Sequence, residues 1–285
     1  MSSDPNELLH ATAQRLGVDD IEIHTATTAH GAELYGTRLP RAHREEAWEH
    51  LTWEHSRSGL WPVLSRRSPA GWADWTHRRP EHLPPPRDII ATATSERTDI
   101  FARLIRSQWE EGIDDHAGDP EEWQQHYHEL LDPDTVESRI APWAIRSGVG
   151  GPIVPQAGRG YSSEDPRHAP EWLCLLRAQP YEAPAILSAP STHNWTGSAT
   201  HPYLELADHV AVLRSWHERY FARLYYLDTA SLELKVLLPP MERHEVAQCA
   251  VEQYAYCPDL TQFCGETIDV AEKQVRSHHW NFWWD

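Results

Sequence analysis

A cysteine that performs chemistry needs an acidified thiol and a nearby group to move a proton. Cys257-Pro258-Asp259, with Glu252 on the preceding helix, is the segment of this sequence that brings those residue types together. A pocket between a helix at 202–220 and the corner at 254–259 would make Cys257, Asp259 and Glu252 its catalytic residues. Trp216, Trp195, Asn194 and Tyr254 would be the binding residues beside them. Electrostatics argue against this. A helix ending at Tyr256 points its negative end at Cys257 and favours thiol over thiolate, and Asp259 pushes the same way. A helix starting after Pro258 reverses this only if its N-terminus aims back at the sulfur. The competing reading makes Cys257 a small buried residue at a helix stop, with Asp259 capping the next turn. That reading is preferred.

Metal chemistry fits poorly. Cys249, Cys257, Cys264 and His278 could be gathered around zinc, yet cysteines eight and seven residues apart match no compact knuckle or ribbon. Glu122 and His126 share a helix face, with His128 close by, but HExxH and EF-hand loops are both missing. GxSxG and GxxxxGK[ST] are absent too, and Gly148-Val149-Gly150-Gly151 lacks the lysine of a phosphate cradle. No metal and no cofactor are expected.

The elements that would position these residues can be read from caps and periodicity. Asp4-Pro5 with Glu7 opens a helix that Gly17 can end, and 20–25 alternates as a strand able to pair with 32–35. A helix at 41–57 stops at Gly59 and leads to a short buried strand at 61–64. Residues 68–86, rich in Pro, Trp and Arg, read as a loop, and helical periodicity returns at 88–111 and again from Asp119. Later, 171–178 and 184–188 read as strands, and 202–220 as a helix burying Leu206, Val210, Leu213 and Trp216. A hairpin at 221–238, helices at 242–256 and 267–277, and a final strand HHWNFWWD complete the chain.

These signals predict an α+β protein. Its C-terminal part is a mostly antiparallel sheet with helices packed on one face, preceded by a smaller mixed α/β N-terminal region. The expected division is 1–147, a Gly/Pro-rich linker at 148–170, and 171–285.

Charge narrows the partners. The 285 residues carry a formal net charge of −18, and both halves are acidic. Such acidity repels phosphate backbones and anionic lipid, so neither nucleic acid nor membrane is an expected partner. Residues 107–138 hold eleven carboxylates and no Lys or Arg, which reads as a solvated face. The 19 histidines nearly match the net charge, so solubility and stability should respond to pH near ~6.5. Four cysteines without a CxxC pair, and a start MSSDPNELLH without basic or apolar signal regions, lead to the expectation of a reduced, cytoplasmic protein.

HVAVLRSWHERY, SLELKVLLPP, the helix ending EQYAYCPD and the terminal NFWWD together resemble a bacterial family common in actinobacteria, the domain of unknown function 4253. The resemblance spans 171–285, and WEHLTWEHSRSGLWPVL resembles the family's N-terminal region. The family pattern has Gly where this chain has Phe221, and a Gly-rich, Asn-containing loop where it has THNWTGS around Asn194. The resemblance implies a fold but no activity.

Two functional readings remain. The favoured one is a non-catalytic protein-binding or inhibitory, immunity-like module, whose acidity and 14 tryptophans suit a basic partner. The other is a small thiol- or carboxylate-dependent enzyme at Cys257 and Asp259. Oligomeric state is not legible.

Overall fold

The computed structural model describes residues 4–78, 83–95, 100–115, 120–140, 170–192, 195, 197–201, 203–260 and 266–284. The linker expected at 148–170 lies outside them except for Pro170.

The opening elements are a helix α1 (Pro5–Arg15), strands β1 (Ile23–Thr27) and β2 (Glu33–Arg38), a helix α2 (Arg41–Ser58) and a strand β3 (Leu60–Ser65). The Asp4 carboxylate caps α1 by accepting from Asn6 N–H at 2.9 Å. Gly59, at φ 69°, ends α2 in the left-handed conformation that suits glycine.

Residues 69–78 are helical, not the loop that Pro and Trp content suggested. This helix, α3 (Pro69–Arg78), starts where Ser68 Oγ accepts from Gly71 N–H at 3.0 Å, and Trp72 is fully buried. Proline at a first helical turn initiates rather than breaks. The periodicity at 88–111 divides into α4 (Pro86–Ser95) and α5 (Ile100–Asp115), followed by α6 (Pro120–Leu131) and α7 (Pro133–Arg139).

After β4 (Trp172–Arg177), the run expected as a strand at 184–188 is a short helix, α8 (Ala183–Leu187). All five of its residues are buried, so no polar face marked its period. Then come α9 (Leu206–Tyr220), β5 (Ala222–Leu227), β6 (Ser231–Val236) and α10 (Arg243–Tyr256). Last are α11 (Thr267–Val270), continued by a π-helical turn Ala271–Val275, and β7 (His279–Trp283).

The strands form one seven-stranded sheet, ordered β1-β2-β4-β3-β5-β6-β7. Every neighbouring pair is antiparallel except β3 and β5, which run parallel. The fold is α+β. Residues before and after 148–170 meet in this one sheet, with β4 between β2 and β3.

The C-terminal strands carry their own helices on one face, where Trp216 of α9 meets Trp280 and Phe282 of β7 at ring distances of 5.5 and 5.2 Å. The opposite face is covered by α2. Trp48 meets Tyr225, Glu45 pairs with Lys235, and Tyr225 meets His279. No described helix is long and apolar enough to cross a membrane.

Candidate functional site

Cys257 sits where α10 stops. Its N–H still bonds Gln253 O at 2.9 Å, but its backbone (φ −143°, ψ 83°) has left the helix. The thiol is fully buried and donates to Trp283 O at 3.0 Å. Burial pushes the Cys257 thiol well above its ordinary pKa, and Asp259 adds to the rise. Nucleophilic chemistry needs the reverse on both counts, an exposed sulfur and a stabilised thiolate.

Glu252, also buried, is fully engaged. It accepts from Trp216 Nε1 at 3.0 Å and Gln248 Nε2 at 3.3 Å, and takes both arms of the Arg219 guanidinium at 2.9 and 2.5 Å. A carboxylate whose oxygens are held this way anchors helices and has no lone pair directed at a substrate. Two of its partners, Trp216 and Arg219, lie on α9 and one, Gln248, on its own helix, whereas that of Cys257 lies on β7. Asp259 is partly exposed in the turn after Pro258.

Three of the four expected binding residues are in the core. Trp216 lies within the aromatic cluster, Trp195 is buried with its Nε1 donating to Ala255 O at 3.1 Å, and Tyr254 is buried. Asn194 lies outside the described residues.

Cys257 has a structural task. In β7 the groups of alternate residues face the outer edge of the sheet, and four of them are satisfied by side chains, those of His279 by Ser277 Oγ. The Cys257 thiol bonds Trp283 O, and Asn281 N–H donates to Gln274 Oε1 at 3.3 Å. Gln274 is held in turn by its Nε2 donating to Gln253 Oε1 at 2.8 Å. This edge is closed by side chains.

A second buried polar cluster was not found from sequence. Asp208 caps its own helix by accepting from Glu205 N–H at 2.8 Å, pairs with Arg103 of α5, and lies 3.2 Å from His201 Nε2. The next residue, His209, shares a 2.6 Å hydrogen bond with the Tyr256 hydroxyl. Ser107 of α5 donates to His201 O at 3.0 Å and accepts from Ser198 N–H at 2.9 Å, fastening the loop before α9. The capping signature Glu205-x-x-Asp208 was the available signal.

No group of three or more His, Cys, Asp or Glu among the described residues is placed to hold a metal ion. His126 is exposed, while the Glu122 side chain lies outside the described residues.

The surface offers a different feature. Phe221, Leu237, Leu238 and Met241 are 43–56% exposed. Leu238 N–H bonds the carbonyl of Tyr220 at 3.0 Å, which sets 237–238 beside Phe221, and Met241 follows three residues on. Exposed Glu218, Glu242 and Glu245 flank them in sequence. Phe221 holds a left-handed backbone (φ 50°, ψ 38°), rare for a bulky side chain.

Comparison with known proteins finds one family model, described as a domain of unknown function (DUF4253), over residues 176–285. That is the stretch whose motifs carried the resemblance. No curated protein and no solved structure matches the chain.

Proposed function

We propose, for a chain whose residues 176–285 belong to the DUF4253 family, that it is a non-catalytic module that binds, in the manner of an inhibitor or immunity protein, one basic protein partner. The observation that carries this reading is the exposed apolar cluster of Phe221, Leu237, Leu238 and Met241 on a chain of net charge −18. Clustered exposed apolar side chains with a polar rim are how protein contact sites are built. Acidity of this size draws in a basic target and repels a second copy. The packed Cys257 thiol and fully engaged Glu252 support the non-catalytic reading, and the free buried cysteines 174, 249 and 257 fit a reducing cytoplasm.

Photocross-linking in the native cell tests it. A photoreactive phenylalanine at Phe221 should capture one discrete basic protein, and the same group at exposed Trp53 should not. Affinity for that protein should fall about a hundredfold in Leu238→Glu, as for a hot-spot residue, and weaken with salt. No discrete capture at Phe221, or equal capture at both positions, would overturn the proposal.

A further inference from the structure

The sheet has two outer strands, β1 and β7, and they are treated differently. The edge of β7 is closed by Cys257 and Gln274. Across the sheet, Thr28 N–H bonds Ala32 O at 2.9 Å where β1 turns into β2. Antiparallel pairing then alternates, so Ala26 and His24 also bond β2. The N–H and C=O groups of Ile23, Thr25 and Thr27 face outward, and no described residue bonds them. Helix α3 packs chiefly against β1, and its first residue, Pro69, lies so close to the sheet face that a side chain on Gly36 of β2 would meet it at 2.8 Å, yet Thr25 and Thr27 stay exposed.

Natural sheets protect an open edge with proline, lysine, a bulge or a covering element. Residues 23–27 contain neither proline nor lysine, and the β1–β2 register is unbroken. The β1–β2 segment is itself anionic, while α3 beside it contributes Arg78, which is paired with Asp74 of the same helix. Asp19, Asp20, Glu22 and Glu33 are exposed, and no Lys or Arg occurs between Arg15 and Arg38.

We infer that β1 is a strand-addition site for an extended, lysine- or arginine-bearing segment of another protein. Main-chain hydrogen bonds to Ile23, Thr25 and Thr27 would supply the affinity, and the carboxylates the preference for basic side chains. A second copy of this chain would bring a like-charged edge, which disfavours it as occupant. The site is at the opposite end of the strand order from the Phe221 cluster and does not depend on it.

The test uses a labelled, end-capped nonapeptide alternating lysine and valine, titrated into the full chain and followed by fluorescence anisotropy. Saturable binding is expected. It should weaken at least about tenfold when alternate peptide nitrogens are methylated, because charge and side chains stay while donors are lost. Thr25→Pro should do the same while melting as the parent does, since the Thr25 N–H is outside the β1–β2 ladder. Phe221→Glu should bind the peptide unchanged.

No saturable binding, or undiminished binding of the N-methylated peptide to the parent chain, overturns the proposal. So does a dimer in sedimentation that Thr25→Pro abolishes, which would assign the edge to a second copy.

Discussion

Phe221 combines a left-handed backbone with an exposed ring, a conformation that costs a residue with a Cβ about 1–2 kcal/mol. Phe221→Gly relieves it, less the extra freedom glycine gives the unfolded chain. Denaturant titration should therefore show a gain of about 0.5–1 kcal/mol, together with weaker capture of the partner. Next to it, His217 donates from Nδ1 to Ala222 O at 2.9 Å. Burial lowers its pKa from 6.5, with help from the Arg223 charge and against that hydrogen bond. Below ~6.5 the unfolded chain takes up a proton that the folded one resists, so stability drops as pH falls through that value. His217→Gln should flatten this part of the stability profile between about pH 7 and 5, and the ring's NMR titration should report the lowered value. For the thiols, burial raises Cys174 to about 12 and Cys257 well above its ordinary range. Iodoacetamide near neutral pH should label neither at an appreciable rate in the folded protein. Cys257→Ala should cost about 1–3 kcal/mol, because Trp283 O loses its donor in a buried place. The burial of Cys257 at a helix stop was legible from the sequence around it. Its partner was not, since Trp283 lies 26 residues further on and nothing local announces it.

Strand β7 shows what an element reveals before its neighbours are known. Its alternation of Trp280 and Phe282 against Asn281 and Trp283 gave both the strand and its coverage on two faces. Trp280, Phe282 and Trp284 are all buried. At ~150–250 Å² and ~25 cal/mol per Å² each, they contribute about 11–19 kcal/mol as an upper bound. Domains are stable by only about 5–15 kcal/mol, so a chain ending before Trp280 should show no cooperative thermal transition by circular dichroism. A truncated chain that melts like the parent would make these residues an appendage. Helices α3 and α8 were missed for opposite reasons. In α3 the Pro, Trp and Arg content read as a loop, and only the burial of Trp72 reveals a helix face. In α8 there is no exposed face, so period carries no information. In the candidate site, Glu252 and Trp216 were grouped from sequence as catalytic and binding residues of one pocket, and the structure joins them by a hydrogen bond between α9 and α10. The Asp208–Arg103–His201 cluster joins segments that only the fold brings together.

At the scale of the molecule, caps and periodicity gave the α+β class and composition the acidity, but strand order was beyond both. Pairing of β4 between β2 and β3 joins residues more than a hundred positions apart. The acidic residues 107–138 bear on partners at this scale as well. Each described carboxylate there is at least partly exposed, as ions that lack buried partners must be. Calorimetric titration with calcium or zinc should show no tight stoichiometric uptake, and saturable micromolar binding lost in His126→Ala would contradict that. The place of β4 also governs how the chain can be made. On the ribosome β1, β2 and β3 emerge first, yet β2 and β3 cannot be joined until β4 has been synthesised to bridge them. The parallel neighbour of β3 and the strand that closes the far edge come later still. A nascent chain halted before Glu171 therefore carries an apolar strand, Leu60–Ser65, with both of its hydrogen-bonding sides unsatisfied. Such a chain is a substrate for holding chaperones, and its cooperative folding waits for the synthesis of β4 to β7.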